Sequence, residues 1–437
     1  MDGGQAFEAL NYGAEIGTGL IVIINDNNMS IAENHGYLHT HLQNLSCNDG
    51  KVKDNFFRSL GYDYRLVKDG NNLSSVIGAL KDVKDTDHPV VVHVCTKKGK
   101  GYEPAEKDPE KWHWAKPFDI ETGEFKTSAA KPGYASVSAE YLLKKMKEDK
   151  SVVVVTSASP SCIGFNRENR IKGGRQFLDL GICEQNAVSF ATALARGGCK
   201  TVYATNSTFF QRAYDQIEQE MCIGKCPLTM IVTHGSVFGH WNDVQNGLLD
   251  IALLANIPNL VYLAPTNKDE YLAMLDWSIE QDKLPVAIRM PAAPMTDAPS
   301  TVKTDYSKTE YEVRQRGKRV AIIALGGFFQ LGEQTAKLYG EKTGEKATLI
   351  NPRFITGYDS DTLNGIKKDH DIVVTLEDGI LSGGFGQRIS AFYSDSSMKV
   401  LSYGFSSDIP HSYEPHELME RNRLAAPCII EDVLKTI

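Results

Sequence analysis

The chemistry-bearing residues of this chain fall at the ends of strand-like runs. Leu178, Leu180 and Ile182 alternate with Phe177, Asp179 and Gly181, and an alanine-rich helical pattern, residues 187–195, follows. Glu184 therefore stands where a strand hands over to a helix, which is where α/β sheets hold ligands. A carboxylate among apolar neighbours suits proton transfer, and the ordinary alternative is a helix N-cap. Asn25-Asp26-Asn27-Asn28-Met29 lies beyond another apolar run and offers amide and backbone oxygens for a hard cation such as magnesium, or else an asparagine-rich turn. Residues 96–102 (TKKGKGY) bring cations and glycines to a third strand end and suit an anion, or form a solvated basic loop. His113, a little further on, is a candidate proton donor. In STFFQRAYDQ (207–216) Phe209 can face a ring and Arg212 can reach an anion. EDGILSGGFG (377–386) has more glycine than ordinary helix entry needs, which points to close backbone packing.

Elements that place these residues can be read from the surrounding pattern. Residues 5–14 form a helix, and residues 20–24 a continuous apolar run of the kind that makes a central parallel strand covered on both faces. Strands at 62–67 and 90–94 with a helix at 73–81 complete one α/β unit. A Gly/Pro/Ser/Thr/Ala-rich stretch, 121–133, reads as a linker. A second unit alternates strands at 152–156, 177–182, 201–204, 228–233, 260–264 and 286–289 with helices such as 211–222 and 268–280, which means a parallel sheet. After a polar stretch at 293–308, a third unit carries strands near 320–325, 347–350, 372–376 and 400–403. The fold class is α/β: three successive domains with mainly parallel sheets, at 1–125, 133–300 and 312–437.

A chain of 437 residues exceeds what one core usually serves. Its net charge of -8 without a sustained basic stripe argues against nucleic acid or an anionic membrane as partner, leaving small-molecule chemistry. Eight scattered cysteines fit a reducing cytoplasm, and Cys222 and Cys226 lack the companions a zinc site needs. No signal-peptide pattern or bilayer-length apolar run is present.

Together INDNNMSI, TKKGKGYEPAEKDP, EQNAVSFATALA, STFFQRAYDQ and EDGILSGGFG, in this order, make the chain resemble the 1-deoxy-D-xylulose-5-phosphate synthase family of the transketolase superfamily. The resemblance implies thiamine diphosphate and Mg2+ as cofactors and a homodimer built from diphosphate-binding, pyrimidine-binding and carboxyl-terminal domains. It also implies a reaction that decarboxylates pyruvate and joins the two-carbon unit to an aldehyde acceptor, glyceraldehyde 3-phosphate. Carried over by position, Asn27 and the Met29 carbonyl are magnesium ligands, Lys98 and Tyr102 line the cofactor, and Phe209 stacks on its pyrimidine. Glu184 bonds the pyrimidine nitrogen, and His113 assists proton movements.

Departures from the family pattern concern the substrate. His234 stands where the family has an arginine, Trp241 and Gln245 where it has Asp and His, and Ala292 where it has a second phosphate-binding arginine; Asn186 and Asn206 replace a His and a Tyr. An imidazole is mostly neutral at pH 7, so a phosphate held by His234 would lose a fixed cation. Arg212, His234 and Gln245 are the substrate-side candidates that remain. The chain begins just after the position of the family's magnesium-binding Asp, with Asp2 the nearest replacement. Three readings follow: a synthase-like transferase truncated at its start, a transketolase-like paralogue with another acceptor, or a half-enzyme completed by a separately encoded amino-terminal partner.

Overall fold

The computed structural model describes residues 3–126, 133–239, 241–242, 245–292, 295 and 302–437. The expected replacement Asp2, residues 127–132 of the linker and the side chain of Trp241 lie outside the described residues. Chain contacts divide the protein into two compact units. One holds the described residues up to 126 together with Asp179–Asn186; the other holds those from 133 to Leu178 and Ala187–Ile437.

In the first unit, strands β1 (Ile21–Asp26), β2 (Asp63–Val67) and β3 (Val90–Cys95) form a parallel sheet in the order β1-β3-β2. Helix Gly4–Ile16 ends on Gly17 in the left-handed conformation (φ 64°), a backbone shape that glycine adopts without steric cost. Helix Leu73–Val83 starts at Asn72, whose side chain accepts from the Ser75 amide at 3.2 Å. Leu10, Ile24, Leu42, Leu45, Phe57, Tyr62 and Val91 pack one face of the sheet, and Val67, Ala79, Val92 and Val94 form a smaller cluster. One expectation fails here. β1 is an edge strand among the described residues, not a central one, and Ile23 in its middle is 55% exposed. Its apolar run suits a strand flanked on both sides, but among the described residues only β3 pairs with it.

The second unit contains two sheets. Strands β4 (Val152–Thr156), β5 (Phe177–Asp179), β6 (Lys200–Asn206), β7 (Thr229–Thr233), β10 (Val261–Leu263) and β11 (Val286–Arg289) form the first, ordered β10-β11-β7-β6-β4-β5. A short ladder of β8 (Trp241–Asn242) and β9 (Gln245–Asn246) follows β7. β4 is buried along its whole length, as the valine run VVVVT requires of a strand covered on both faces. The second sheet is ordered β12-β14-β13-β15-β16, from β12 (Glu312–Gln315), β13 (Arg319–Ala324), β14 (Thr348–Asn351), β15 (His370–Ile380) and β16 (Lys399–Phe405). β12, absent from the sequence reading, pairs antiparallel with β14. The chain after β14 joins the sheets: Ile355 N donates to Tyr262 O and Ala264 N to Arg353 O, both at 2.7 Å.

Two further expectations are corrected. The strand before Glu184 ends at Asp179, because the Asp179 carboxylate accepts from the Gly181 amide (3.1 Å) and Gly181 turns at φ 79°. The helix expected at 211–222 is not one α-helix. It is a 3-10 segment Ser207–Ala213, one α turn Tyr214–Gln216 and a π-helix Ile217–Ile223, a widened helix of the kind found near functional sites.

Candidate active site

The loop after β1 is shaped by its own asparagines. Asn27 Oδ1 accepts from the Met29 amide at 3.1 Å and Asp26 Oδ1 from the Asn28 amide at 3.1 Å, with Asn28 in the left-handed region (φ 61°). Lys98 Nζ reaches this loop, donating to the Ser30 carbonyl at 2.6 Å and to His113 Nδ1 at 3.0 Å. The structure thus brings Asn27, Met29, Lys98 and His113 together within one unit. Partial burial lowers the Lys98 ammonium, and lost hydration with the charge of Lys98 lowers the His113 imidazole. An ammonium has no acceptor capacity, so His113 must present a bare Nδ1 and carry its proton on Nε2. Gly99 (φ 77°) allows the turn: a Cβ there would lie 2.7 Å from the Ala105 carbonyl carbon.

Tyr102 is placed differently. It precedes helix Glu103–Lys107, donates its hydroxyl to Ile120 O at 3.1 Å and packs against Trp112 and Phe118. Its visible work is to hold the loop.

Asp26, part of the asparagine-rich turn in sequence, anchors a buried chain. Its Oδ2 lies 3.1 Å from His93 Nε2, and His93 Nδ1 lies 2.6 Å from the Tyr64 hydroxyl. His93 is fully buried at the centre of VVVHVC, and that single polar residue in an apolar strand was the available signal. The bonds to His93 and the Asn28 amide outweigh the cost of burial and hold Asp26 below the usual carboxylate range.

Glu184 opens helix Glu184–Arg196 and is 2% exposed. A carboxylate at a helix N-terminus is favoured by the peptide dipoles there. The turn before it is fixed by the Cys183 amide on Gly181 O at 2.9 Å.

Phe209, half-buried, and Arg212, exposed, sit on the 3-10 segment after β6. His234 follows β7 with φ 57°, a strained conformation for a residue with a side chain, and its Nδ1 lies 2.9 Å from Asn206 Oδ1. Two departures from the family pattern are therefore partners. Gln245 lies in β9, partly buried.

Behind His234 a buried network fixes the loop. Ser236 Oγ donates to Asp378 Oδ2 at 2.5 Å and the Val237 amide to Asp378 Oδ1 at 2.9 Å. Arg289 donates to Asp250 at 2.7 and 3.0 Å and to the Asp378 carbonyl at 2.6 Å. Ala292 lines a small cleft with Gly235, Ser236, Arg289, Gly327 and Asp378. Glycines 384 and 386 pack as expected. A Cβ on Gly386 would lie 2.7 Å from both Ser402 Oγ and Thr375 Oγ1, while Glu377 accepts from the amides of Phe385 and Gly386, each at 2.7 Å.

A family model described as the pyrimidine binding domain of transketolase matches residues 130–295, and one described as the transketolase C-terminal domain matches 309–427. A third, described as 1-deoxy-D-xylulose-5-phosphate synthase, matches 1–53 and 46–96. The 1-deoxy-D-xylulose-5-phosphate synthase of Lachnoclostridium phytofermentans is 33% identical over 478 residues, which cover 100% of this chain and 75% of that protein. The chain belongs to the 1-deoxy-D-xylulose-5-phosphate synthase family. The family's member in Halothermothrix orenii is also 33% identical, over 100% of this chain and 74% of its own length. Among solved structures, a split-gene transketolase described as an inactive beta4 tetramer covers 70% of this chain and 98% of its own, with TM-score 0.59 and 22% identity. The transketolase of Pichia stipitis with sedoheptulose-7-phosphate covers 99% and 74%, with TM-score 0.59 and 15% identity. These two establish the fold. Membership in the synthase family makes the chain an enzyme of the thiamine-diphosphate-dependent transferase class.

The residues present fit such a cofactor. Among the described residues no three His, Cys, Asp or Glu side chains converge as a metal cluster, and Asp26 is committed to His93. The loop instead offers the Asn27 amide oxygen and backbone carbonyls, hard oxygen donors that suit magnesium shared with a diphosphate.

Proposed function

We propose that this chain transfers a two-carbon unit from pyruvate to an aldehyde, as a homodimer in the cytoplasm, and that its acceptor need not be phosphorylated. The observation that carries the reading is the convergence of Asn27, Met29, Lys98 and His113 on one loop in a chain 33% identical to a synthase over its full length. Its domains are assigned as diphosphate-binding (1–125), pyrimidine-binding (133–300) and carboxyl-terminal (312–437).

When bound, thiamine diphosphate supplies a nucleophilic thiazolium carbon for decarboxylation and carbon–carbon bond formation. Asn27 and the Met29 carbonyl would hold the magnesium ion, Lys98 and Tyr102 would line the diphosphate, and Phe209 would stack on the pyrimidine. Glu184, buried at the start of its helix, would hydrogen-bond the pyrimidine nitrogen and so hold a proton there. His113, its tautomer set by Lys98, donates from Nε2 toward the substrate oxygen. Arg212, His234 and Gln245 face the acceptor. Support for a neutral acceptor comes from Ala292 and from Arg289, whose guanidinium is tied to Asp250 and so is not offered to a phosphate.

Glu184→Gln should abolish exchange of the cofactor's C2 proton, followed by NMR in heavy water, while leaving the circular dichroism unchanged. Retained exchange would remove Glu184 from this role. For the acceptor, kcat/KM for glyceraldehyde 3-phosphate should stay within about tenfold of that for D-glyceraldehyde. A preference of several orders of magnitude for the phosphate would restore the family's usual acceptor.

A second reading is favoured by the place of β1 at the edge of its sheet among the described residues and by exposed Ile23: a further polypeptide segment, such as a separately encoded amino-terminal half, completes the first sheet. Magnesium-dependent cofactor binding, titrated calorimetrically, should then tighten when the preceding segment of a relative is added. Tight binding by the chain alone would make that segment dispensable.

A further inference from the structure

The second unit carries an open groove of about 510 Å3, lined by residues of helix Tyr134–Glu148, of helix Arg167–Gly173 and of the segments that follow each. That volume lies within the roughly 300–1,000 Å3 common for small-molecule sites. The groove is separate from the acceptor candidates of the same unit. Lys150, on its rim, precedes β4, whereas Asn206 ends β6 and His234 follows β7, at the other end of these parallel strands.

Lysines surround it. Lys144 and Lys147 come from the first helix, Lys172 from the second and Lys150 from the turn before β4, all of them exposed, with Leu143 half-buried beneath. Such a convergence of cations stands out on a chain with 47 basic and 55 acidic residues. Lys172 is answered by Glu168 at 2.7 Å. Among the described residues the other three meet no carboxylate within ion-pair distance, and neither Glu140 nor Glu148, four residues to either side of Lys144, pairs with it.

Lys150 is held by neutral acceptors alone. Its Nζ donates to the Met146 carbonyl at 3.3 Å and to Gln176 Oε1 at 3.2 Å. Gln176 is fixed in turn, because its Nε2 donates to the Asp149 carbonyl at 3.0 Å and the Val152 carbonyl at 2.8 Å. An ammonium has three donors, so Lys150 keeps one N–H and its whole charge for a further partner. Lys144 and Lys147 lie about one helical turn apart and Lys150 beyond the helix end, which spreads the charge along the groove instead of gathering it on one point.

We propose that this groove binds a small organic molecule with two separate anionic groups, a bisphosphate, one group accepting from Lys150 and the other from Lys144 and Lys147, while the carbon body between them lies over Leu143. The site does not depend on which acceptor the transferase uses.

Calorimetric titration of the full chain with fructose 1,6-bisphosphate and with inorganic phosphate, in low-salt buffer, tests the assignment. The bisphosphate should bind at least about tenfold more tightly than inorganic phosphate. Lys144→Gln/Lys147→Gln exchanges exposed residues of similar helix propensity and should weaken bisphosphate binding roughly tenfold. Lys337→Gln/Lys342→Gln removes the same two charges from the exposed side of helix Phe329–Thr343 and should leave the affinity within about twofold. The proposal fails if the bisphosphate does not bind at millimolar concentration, if inorganic phosphate binds as tightly, if the Lys144/Lys147 variant binds unchanged, as it would were the bisphosphate seated at the acceptor site, or if the Lys337/Lys342 variant is weakened as much.

Discussion

At the scale of single residues, Glu377 shows burial overriding hydrogen bonding. It accepts from two backbone amides, which favour its charge, yet enclosure in the carboxyl-terminal core pushes its carboxyl up to about 7. A carboxyl whose folded value is raised keeps its full stabilising effect below the unfolded value of 4.5 and loses it as pH rises to about 7. Glu377→Gln should flatten that fall, which is on the order of 3 kcal/mol, while giving up one amide bond worth about 1 kcal/mol. Urea midpoints at pH 5 and pH 7.5 measure both. A slope unchanged by the substitution would show that Glu377 is ionised throughout.

Among the elements, β1 and β3 are joined by more than their ladder. His93 sits in register with Ile24 and carries the bond to Asp26, so the strand that bears the candidate metal loop is fastened beneath it. His93→Leu leaves a buried carboxylate without its partner and should cost about 3–5 kcal/mol, with the double variant Asp26→Asn/His93→Leu recovering part of that. Chemical denaturation followed by circular dichroism checks the pair; equal midpoints for the single and double variants would show that the bond is unimportant. This chain marks where the sequence became opaque. Alternation and apolar runs revealed nearly every strand, because burial on both faces leaves a pattern in one dimension. A histidine bridging two strands depends on register across sequence separations of 67 and 29 residues, and no local pattern records it. The π-helix was hidden for the opposite reason, since its apolar spacing mimics an ordinary helix.

For the whole molecule, the two sheets of the second unit are coupled by the Arg353 side chain as well as by the backbone bonds at Tyr262 and Ala264. Its guanidinium bonds Glu270 at 2.7 Å and Glu312 at 3.0 Å, and Asn351 reaches Glu270 at 3.1 Å, all buried. Glu270 belongs to helix Lys268–Glu280, and Glu312 and Asn351 to β12 and β14, so one cation holds helix and sheet together. Arg353→Met should cost about 3–5 kcal/mol and separate the thermal transitions of the two sheets in calorimetry. A single transition at an unchanged temperature would show that backbone pairing near Tyr262 suffices. Family and fold class were legible from motif order alone. The candidate acceptor side was legible only as departures from the family pattern, because what Asn206, Arg289 and Asp378 do depends on partners from distant strands.

That buried network also bears on redesign. Ala292 opens onto the same cleft as Asp378, so an arginine introduced at 292 would enter a space already faced by an aspartate and already supplied with one cation. That arginine would meet a carboxylate before it met any phosphate. If the proposed neutral acceptor is right, an engineer who placed arginine at 292 alone would gain a salt bridge in place of a phosphate contact, and changes at His234 and Asp378 would be needed beside it.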